Sequence, residues 1–314
     1  MNTRVLEAAR SFDWRQNIIY IGFVLVFLFF AVTLEDRGFL TDRNLTNVIR
    51  QTATITVMAV AMTFVIGAAQ IDLSVGSVVG LASVTTAMAI SQFGVPAGII
   101  VGLLTGLIVG AVNGVLVAYV AIPSFLVTLG MLGIAHGSAM WITDTAPQPI
   151  RADVFNDLFG SGDIGPIPSL VFWTIVAVII GHVVLKKSGY GRRVLATGGN
   201  PVAARFSGVD TKRITFAVLT VMGVVAAFAG MLLAGRLHSG RYTFGEGFEL
   251  SVIAAVILGG TSLFGGRATV IGSVLGSLMI GLINNGLTLM GMESSQQQIV
   301  RGAIIILAVA LARR

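Results

Sequence analysis

Ten apolar runs, separated by short polar or glycine-rich stretches, divide the chain. Each run is close to the roughly 17 to 25 residues that an α-helix needs to cross the hydrocarbon core of a bilayer. The pattern predicts an all-α polytopic integral membrane protein with about ten transmembrane helices in one domain, residues 1–314. The predicted spans are residues 18–34, 53–69, 73–91, 97–119, 122–142, 169–185, 214–235, 248–264, 269–290 and 297–312.

Composition supports a membrane location. Hydrophobic residues make up 55% of the chain and charged residues 11%, whereas soluble domains are about 25% charged. So few charges cannot cover the surface of a soluble globule. The formal charge of +6 does not indicate a nucleic-acid partner, because aromatic residues are not interleaved with the basic ones. The absence of cysteine excludes disulfides and thiolate ligands.

The charges between the runs predict an orientation. If every run crosses once, the N-terminal arginines, the loop 186–213, Arg267 and the final Arg313-Arg314 fall on one side. The loop 143–168, which carries four aspartates and one arginine, falls on the other side. Because Lys and Arg concentrate in cytoplasmic loops, we expect both termini and the loop 186–213 in the cytoplasm.

Glycine at every fourth position predicts close helix packing. Such a stripe is smooth and lets a neighbouring backbone approach, so we expect these glycines to hold the bundle together. The stripes are Gly102, Gly106, Gly110 and Gly114, and the shorter pairs Gly76/Gly80 and Gly272/Gly276.

The basic loop contains a short segment with the signals of a capped helix. Asn200 can accept a backbone N–H at the N-cap, Pro201 suits the first helical position, and Gly208 can adopt the left-handed conformation that ends a helix. A loop that only fixes topology needs the charge but not both caps. We therefore favour a docking element, with Phe206 inserting into a partner groove and Arg205 at its rim.

Asp72 is the only charged residue between Arg50 and Asp144. A carboxylate at this depth is costly and normally indicates a function or a break in a helix. Asp72 can cap a helix that begins at Leu73 by accepting the N–H of Ser74 or Val75. It can also line a cavity, since non-helical backbone within a membrane is tolerated where it is buried or lines one. The two roles are compatible.

Further polar residues within the predicted spans are candidates for a substrate path, although each alone suits an interhelical hydrogen bond. The three histidines are too scattered for a metal site, and His136 suits a membrane interface. No phosphate-binding loop, nucleophile elbow or HExxH motif occurs, so we predict no catalytic, cofactor-binding or metal-binding residues. The candidate path residues are Asp72, Ser74, Asn113, Thr128, Asn284 and Asn285.

Four motifs in order resemble the ribose-type sugar permeases of bacterial ABC importers, within the branched-chain amino acid/ribose permease superfamily. The resemblance covers about residues 45–312. Ala69-Gln70 stand where that family usually has Gly-Gly, and Ala268 stands where it usually has Gly. The motifs are Ile71 to Gly76, Ile122 to Gly130, the Gly199 to Gly208 segment, and Ala255 to Arg267.

The resemblance implies a multi-pass homodimer in the bacterial inner membrane that works by alternating access. Its partners would be a cytoplasmic ATPase, which binds ATP and Mg²⁺, a periplasmic sugar-binding protein, a second permease copy and membrane lipid. The loop 143–168 would then be periplasmic, and the chain itself would bind no cofactor. The residues matching the ATPase-coupling segment are Asn200, Pro201, Ala204, Arg205, Phe206 and Gly208.

Other functions remain open at this stage. The substrate would be a monosaccharide or related polyol-like solute, while sister permeases carry nucleosides or branched-chain amino acids. A proton- or sodium-driven secondary transporter is the alternative of another class, but it would need carboxylates paired with the moving ion. An integral-membrane enzyme lacks a catalytic constellation.

Overall fold

The computed structural model describes residues 14–312 and is predominantly helical. A short 3-10 helix spans Glu35–Arg37, and two small antiparallel ribbons pair β1 (Gln148–Pro149) with β4 (Ser239–Gly240) and β2 (Asp163–Ile164) with β3 (Ile167–Pro168). The helices of the described range are α1 (Trp14–Thr33), α2 (Asp42–Gly67), α3 (Val75–Phe93), α4 (Val95–Ala118), α5 (Ser124–Thr143), α6 (Asp153–Phe159), α7 (Ser169–Lys187), α8 (Gly189–Gly199), α9 (Pro201–Phe206), α10 (Thr211–Leu237), α11 (Phe248–Leu258), α12 (Val270–Leu289) and α13 (Ser294–Ala312).

Each of the ten apolar runs overlaps one of these helices, which confirms the helical, polytopic class. Seven of the described helices are long and apolar enough to cross a membrane: α2, α3, α4, α5, α7, α10 and α12. The orienting arginines Arg4, Arg10, Arg313 and Arg314 lie outside the described residues.

Side-chain caps set where several helices begin. A cap works because its side-chain oxygen accepts one of the N–H groups that has no partner within the first turn. The caps are Thr41 for α2, Ser188 for α8, Asp210 for α10 and Thr269 for α12.

The helices form an inner and an outer layer. Most of α2, α3, α10 and α12 is buried, whereas α4, α5 and α7 are buried over a minor part of their length. The exposed faces of these outer helices carry apolar side chains such as Ile108, Ile134 and Ile179. An apolar exposed face of this kind suits contact with lipid or with another apolar helix.

The glycine stripe of α4 packs directly on α10. A Cβ at Gly106 would overlap the carbonyl oxygen of Gly223, and one at Gly110 would lie 2.8 Å from the carbonyl oxygen of Leu219. The predicted packing role of this stripe is therefore confirmed. The pair Gly272/Gly276 of α12 packs in the same way on the backbone of Gly259 and Ala255.

The two long loops lie at opposite ends of the bundle. Loop 186–213 leads through α8 and α9 into the start of α10, whereas α6 packs on the end of α10, where a Cβ at Gly160 would overlap Arg236. A helix of 27 residues is about 40 Å long. We call the end that carries α8 and α9 the basic end, because Lys186, Lys187, Arg192 and Arg193 lie there.

Two stretches of the bundle are not helical. The first, residues 68–74, joins α2 to α3 and contains Ala69 with a left-handed φ of +58°, a conformation that favours glycine. The second, residues 241–247, precedes α11, which ends at Leu258. The predicted span 248–264 was therefore wrong in extent, because its residues after Leu258 are not helical and Gly260 has a positive φ. The Gly265-Gly266 pair just beyond the span also has positive φ.

Candidate functional site

The predicted capped helix at the basic end is present as α9. The Asn200 Oδ1 atom accepts the backbone N–H groups of Val202 at 3.1 Å and Ala203 at 3.0 Å, and Pro201 occupies the first helical position. Asn200 therefore supplies partners that the first turn of a helix otherwise lacks. The predicted N-terminal cap is confirmed.

The other end of α9 is closed by a Schellman motif. Gly208 has φ +81°, and its N–H donates to the carbonyl of Arg205 at 2.9 Å while the N–H of Val209 donates to that of Ala204 at 3.0 Å. These two bonds define the motif. Ala204 is the buried residue of the helix, so α9 is held in one position with both ends closed.

The outward face of α9 is apolar. Phe206 is 90% exposed and Val202 is 60% exposed, and residues four apart lie on the same face of a helix. A third large side chain at the basic end, Phe264 in the turn after α11, is 72% exposed. Sequence reasoning found Phe206 but missed the other two, because their sequence neighbours are apolar or small.

Arg205 points back to the bundle. Its Nε donates to the hydroxyl of Thr211 at 2.8 Å, and Thr211 is the buried first residue of α10. The side chain that was expected at the rim of an interface thus also ties α9 to the helix that follows it. The sequence gives no local signal for this contact.

Beneath α9, α8 packs on the non-helical parts of the bundle. A Cβ at Gly198 would overlap the carbonyl oxygen of Gly67 and lie 2.9 Å from the carbonyl carbon of Ala68. The same Gly67 carbonyl accepts the N–H of Gly266 at 3.1 Å. The end of α2, the end of α8 and the turn after α11 therefore meet backbone to backbone.

Asp72 lies just beyond this junction and is 1% exposed. Its Oδ1 accepts the backbone N–H of Ser74 at 2.9 Å and the Ser74 hydroxyl at 2.6 Å. The predicted bond to the Ser74 N–H is present. The helix itself begins at Val75, with Ser74 at the N-cap, and not at Leu73 as expected, because the Asp72 bonds hold residues 72–74 in a turn.

The Asp72 turn is bonded to two neighbouring helices. Asn113 of α4 donates from Nδ2 to the Ser74 hydroxyl at 3.0 Å. The Thr128 hydroxyl of α5 accepts the N–H of Leu73 at 3.0 Å, and the Ser124 hydroxyl accepts that of Ile71 at 3.1 Å. Four predicted path residues, Asp72, Ser74, Asn113 and Thr128, thus form one buried network that satisfies the non-helical backbone.

Asn284 and Asn285 lie elsewhere. Asn285 exchanges hydrogen bonds of 2.9 and 3.1 Å with Asn44, near the start of α2, whereas Asp72 follows its end. Along this helix, Asn44 lies about 35 Å from Gly67, the last helical residue before the stretch that contains Asp72. Asn284 Oδ1 is buried and has no hydrogen-bond partner. The six predicted residues therefore do not form a single site.

The structure also contains a cavity of about 240 Å³ with several polar groups in its walls, which sequence reasoning missed. Ser77, His136, Glu246 and Glu249 contribute to its lining, between α3, α5 and residues 244–249. The available signal was the pair Glu246 and Glu249, two carboxylates at the start of an apolar run. Among the described residues no group of three His, Cys, Asp or Glu side chains could hold a metal ion.

Within the described residues the chain is a helical bundle with seven helices long and apolar enough to cross a membrane. The chain belongs to the family described as branched-chain amino acid transport system / permease component, which matches residues 44–309. It is accordingly a transport component rather than an enzyme.

Individual relatives match almost the whole chain. The probable ABC transporter permease protein YphD of Escherichia coli K12 is 40% identical over 93% of this chain and 88% of its own. The ribose import permease protein RbsC of Bacillus subtilis 168 is also 40% identical, over 93% and 90%. The L-arabinose permease AraH of Azospirillum brasilense is 37% identical over 96% and 89%. No solved structure matches.

Proposed function

We propose that the protein is the permease subunit of an ABC importer that moves a monosaccharide or related polyol-like solute by alternating access. The observation that carries this proposal is α9, a doubly capped helix at the basic end on which Phe206 is 90% exposed. The import permeases among the relatives, which are named for ribose, arabinose and xylose, support the substrate class. Nucleosides and branched-chain amino acids are the alternative cargoes.

The motor belongs to a partner chain in this proposal. The sequence has no GxxxxGK[ST] phosphate-binding loop, so ATP and Mg²⁺ would be held by a cytoplasmic ATPase docked on α9. A periplasmic sugar-binding protein would deliver substrate at the opposite end of the bundle. An ion-coupled secondary transporter is the weaker alternative, since relatives that match almost the whole chain are named as ABC transporter permeases.

The basic end faces the cytoplasm of a bacterium in this proposal, and the protein lies in the inner membrane with ten spans and both termini cytoplasmic. The positions of Lys186, Lys187, Arg192 and Arg193 support that orientation. The opposite end carries Asp144, Asp153, Asp157 and Asp163. Each of α1, α11 and α13 would complete a crossing together with adjacent non-helical residues or interfacial residues.

A second copy of the permease and lipid would cover the outer helices. On α5, Gly130, Gly133 and Gly137 have open space where a Cβ would lie, which suits close approach of another helix.

Between α2, α7 and α10 lies an apolar groove of about 510 Å³, with Tyr190 among its lining residues. Lipid acyl chains match the apolar character of that groove. Val184 belongs to the groove lining, and Lys187 lies about one helical turn beyond it.

The Asp72 network would act as a structural joint beside the translocation path. Asp72→Asn keeps an acceptor oxygen and should retain the stability of the wild type. Asp72→Ala leaves the buried Ser74 N–H without its partner, which costs about 1 to 3 kcal/mol of unfolding free energy. Thermal unfolding in nanodiscs, with Ser74→Ala as a second disruption of the same turn, measures the difference. Transport lost in both Asp72 variants at unchanged stability would instead assign Asp72 to substrate or gating.

The proposed function predicts that this chain does not accumulate solute alone. Purified permease in liposomes should show no accumulation of radiolabelled ribose, arabinose or xylose under a proton or sodium gradient. Adding the ATPase partner, the binding protein and internal ATP should produce uptake. Gradient-driven accumulation by the permease alone would overturn the ABC assignment, and empty liposomes provide the leak control.

A further inference from the structure

The residues before α11 follow the glycine face of α3 as a series of turns, without helix. A Cβ at Gly80 would lie 2.6 Å from the carbonyl oxygen of Tyr242 and 2.9 Å from that of Phe244. One at Gly76 would overlap the carbonyl oxygen of Gly245 and Oε2 of Glu249. The predicted stripe Gly76/Gly80 therefore admits a non-helical backbone rather than a helix, and it places the Glu249 carboxylate against α3.

This segment reaches far into the bundle. α11 has 11 residues and so extends about 16 Å, and its last residue leads into the turn that packs on α8 at the basic end. Its first residue therefore lies about halfway through a hydrocarbon core of roughly 30 Å. Non-helical backbone at such depth is tolerated only where it is buried in protein or lines a water-filled cavity.

The cavity of about 240 Å³ lies at that position. Gly76 and Ser77 of α3, Leu132 and His136 of α5, and residues of the 244–249 segment form its walls. His136 Nε2 is 4.0 Å from Glu246 Oε1, and its ring meets that of Tyr242 edge-on at 5.6 Å between centroids. Hydroxyl, imidazole and carboxylate groups thus converge on one space that also has apolar walls at Leu132 and Phe244.

We propose that this cavity is a binding site within the permease for a neutral, polyhydroxylated solute the size of one sugar ring. The inference rests on the proposed import function and adds where the solute is held. Carboxylates accept hydrogen bonds from hydroxyl groups, and His136 can donate or accept them. The volume equals that of about eight liquid waters at roughly 30 Å³ each, which fits one ring but not two.

Charge favours a neutral solute over the alternatives. Two carboxylates repel phosphorylated or acidic solutes, and the described residues offer no third ligand group that would complete a metal site. His136 Nε2 lies 4.0 Å from Glu246 Oε1, so the imidazole and this carboxylate can contact the same solute. Glu249 lies in the first turn of α11, where the helix dipole stabilises a carboxylate without a bound cation.

The absence of cysteine from the chain permits a direct test. Ser77→Cys places one thiol in the cavity wall, and the permease–ATPase complex in nanodiscs is treated with a small methanethiosulfonate reagent. The probes are ribose, xylose, arabinose, glucose, galactose and inositol, each added separately, with betaine as the osmotic control. We expect at least one of these to slow labelling several-fold. Ser91→Cys, at the exposed outer part of α3, should react at a rate that no probe changes.

Uptake by the assembled importer gives a second readout. Glu249→Gln should raise the KM for the protecting sugar by about tenfold or more, the loss expected for one hydrogen bond to a charged group, while ATPase activity stimulated by the binding protein persists. An unreactive Ser77→Cys thiol, labelling unaffected by every sugar, or protection by choline in place of sugars would overturn the proposed site. Uptake independent of the ATPase would overturn the importer assignment instead, whatever the labelling result.

Discussion

Phe206→Ala is expected to uncouple ATP hydrolysis from solute uptake. The side chain is 90% exposed on a helix whose two ends are closed, so folding alone gives no reason to keep a large aromatic residue there. An aromatic anchor at the centre of an interface typically costs about 2 kcal/mol or more on truncation, which corresponds to roughly a 30-fold loss of affinity for the ATPase.

Co-purification of the complex and substrate-stimulated ATPase activity measure this effect. Phe93→Ala is a matched control, since Phe93 is 73% exposed at the far end of α3 and its truncation should leave ATPase binding unchanged. Arg205→Ala should weaken the association by under about 1 kcal/mol, as exposed charges do, although it also removes the bond to Thr211. Wild-type association and coupling in Phe206→Ala would show that the loop serves only topology and charge.

Gly198→Ala is expected to destabilise the protein by about 1 to 3 kcal/mol, the usual cost of inserting a methyl group into a packed interior. The added Cβ would overlap the Gly67 carbonyl oxygen, and that oxygen cannot move freely because it also accepts the Gly266 N–H. We expect α8 to be displaced, and therefore lower uptake per ATP hydrolysed even where the complex still assembles.

Gly189→Ala provides the control within the same helix. A Cβ there would meet only the Arg192 side chain, at 3.8 Å, so stability and coupling should match the wild type. Thermal unfolding in nanodiscs and the ratio of uptake to hydrolysis compare the two variants. Equal stability and equal ratios for Gly198→Ala and wild type would contradict the close packing of α8 on Gly67.

The sequence predicted the features that depend on local chemistry. Apolar runs long enough to span a bilayer became helices, because in a bilayer a helix satisfies its own backbone. The caps at Asn200 and Gly208 were also predicted, since each acts within a few residues. The stripe from Gly102 to Gly114 predicted close packing, although its partner α10 could not be identified from spacing alone.

Features that depend on contacts distant in sequence were not predicted. Asn285 pairs with Asn44 across 241 positions, and no local pattern distinguishes that pair from the Asn113 bond to Ser74. The irregular segment 241–247 lies between the predicted spans 214–235 and 248–264. Hydropathy alone therefore gave no sign that it packs inside the bundle. The cavity arises only when this segment lies on Gly76 and Gly80, which brings Glu249 and His136 to the same space.

The junction of Gly67, Gly198 and Gly266 determines how the basic end can move. Three segments meet there through backbone atoms, and the side chains of Leu195 and Ala268 pack beside them. Side chains absorb small displacements by changing rotamer, whereas backbone atoms in contact have no such freedom. The end of α2, α8 and the turn after α11 should therefore move as one stiff body, and a force that the proposed ATPase applies to α9 would reach the bundle as a rigid tilt.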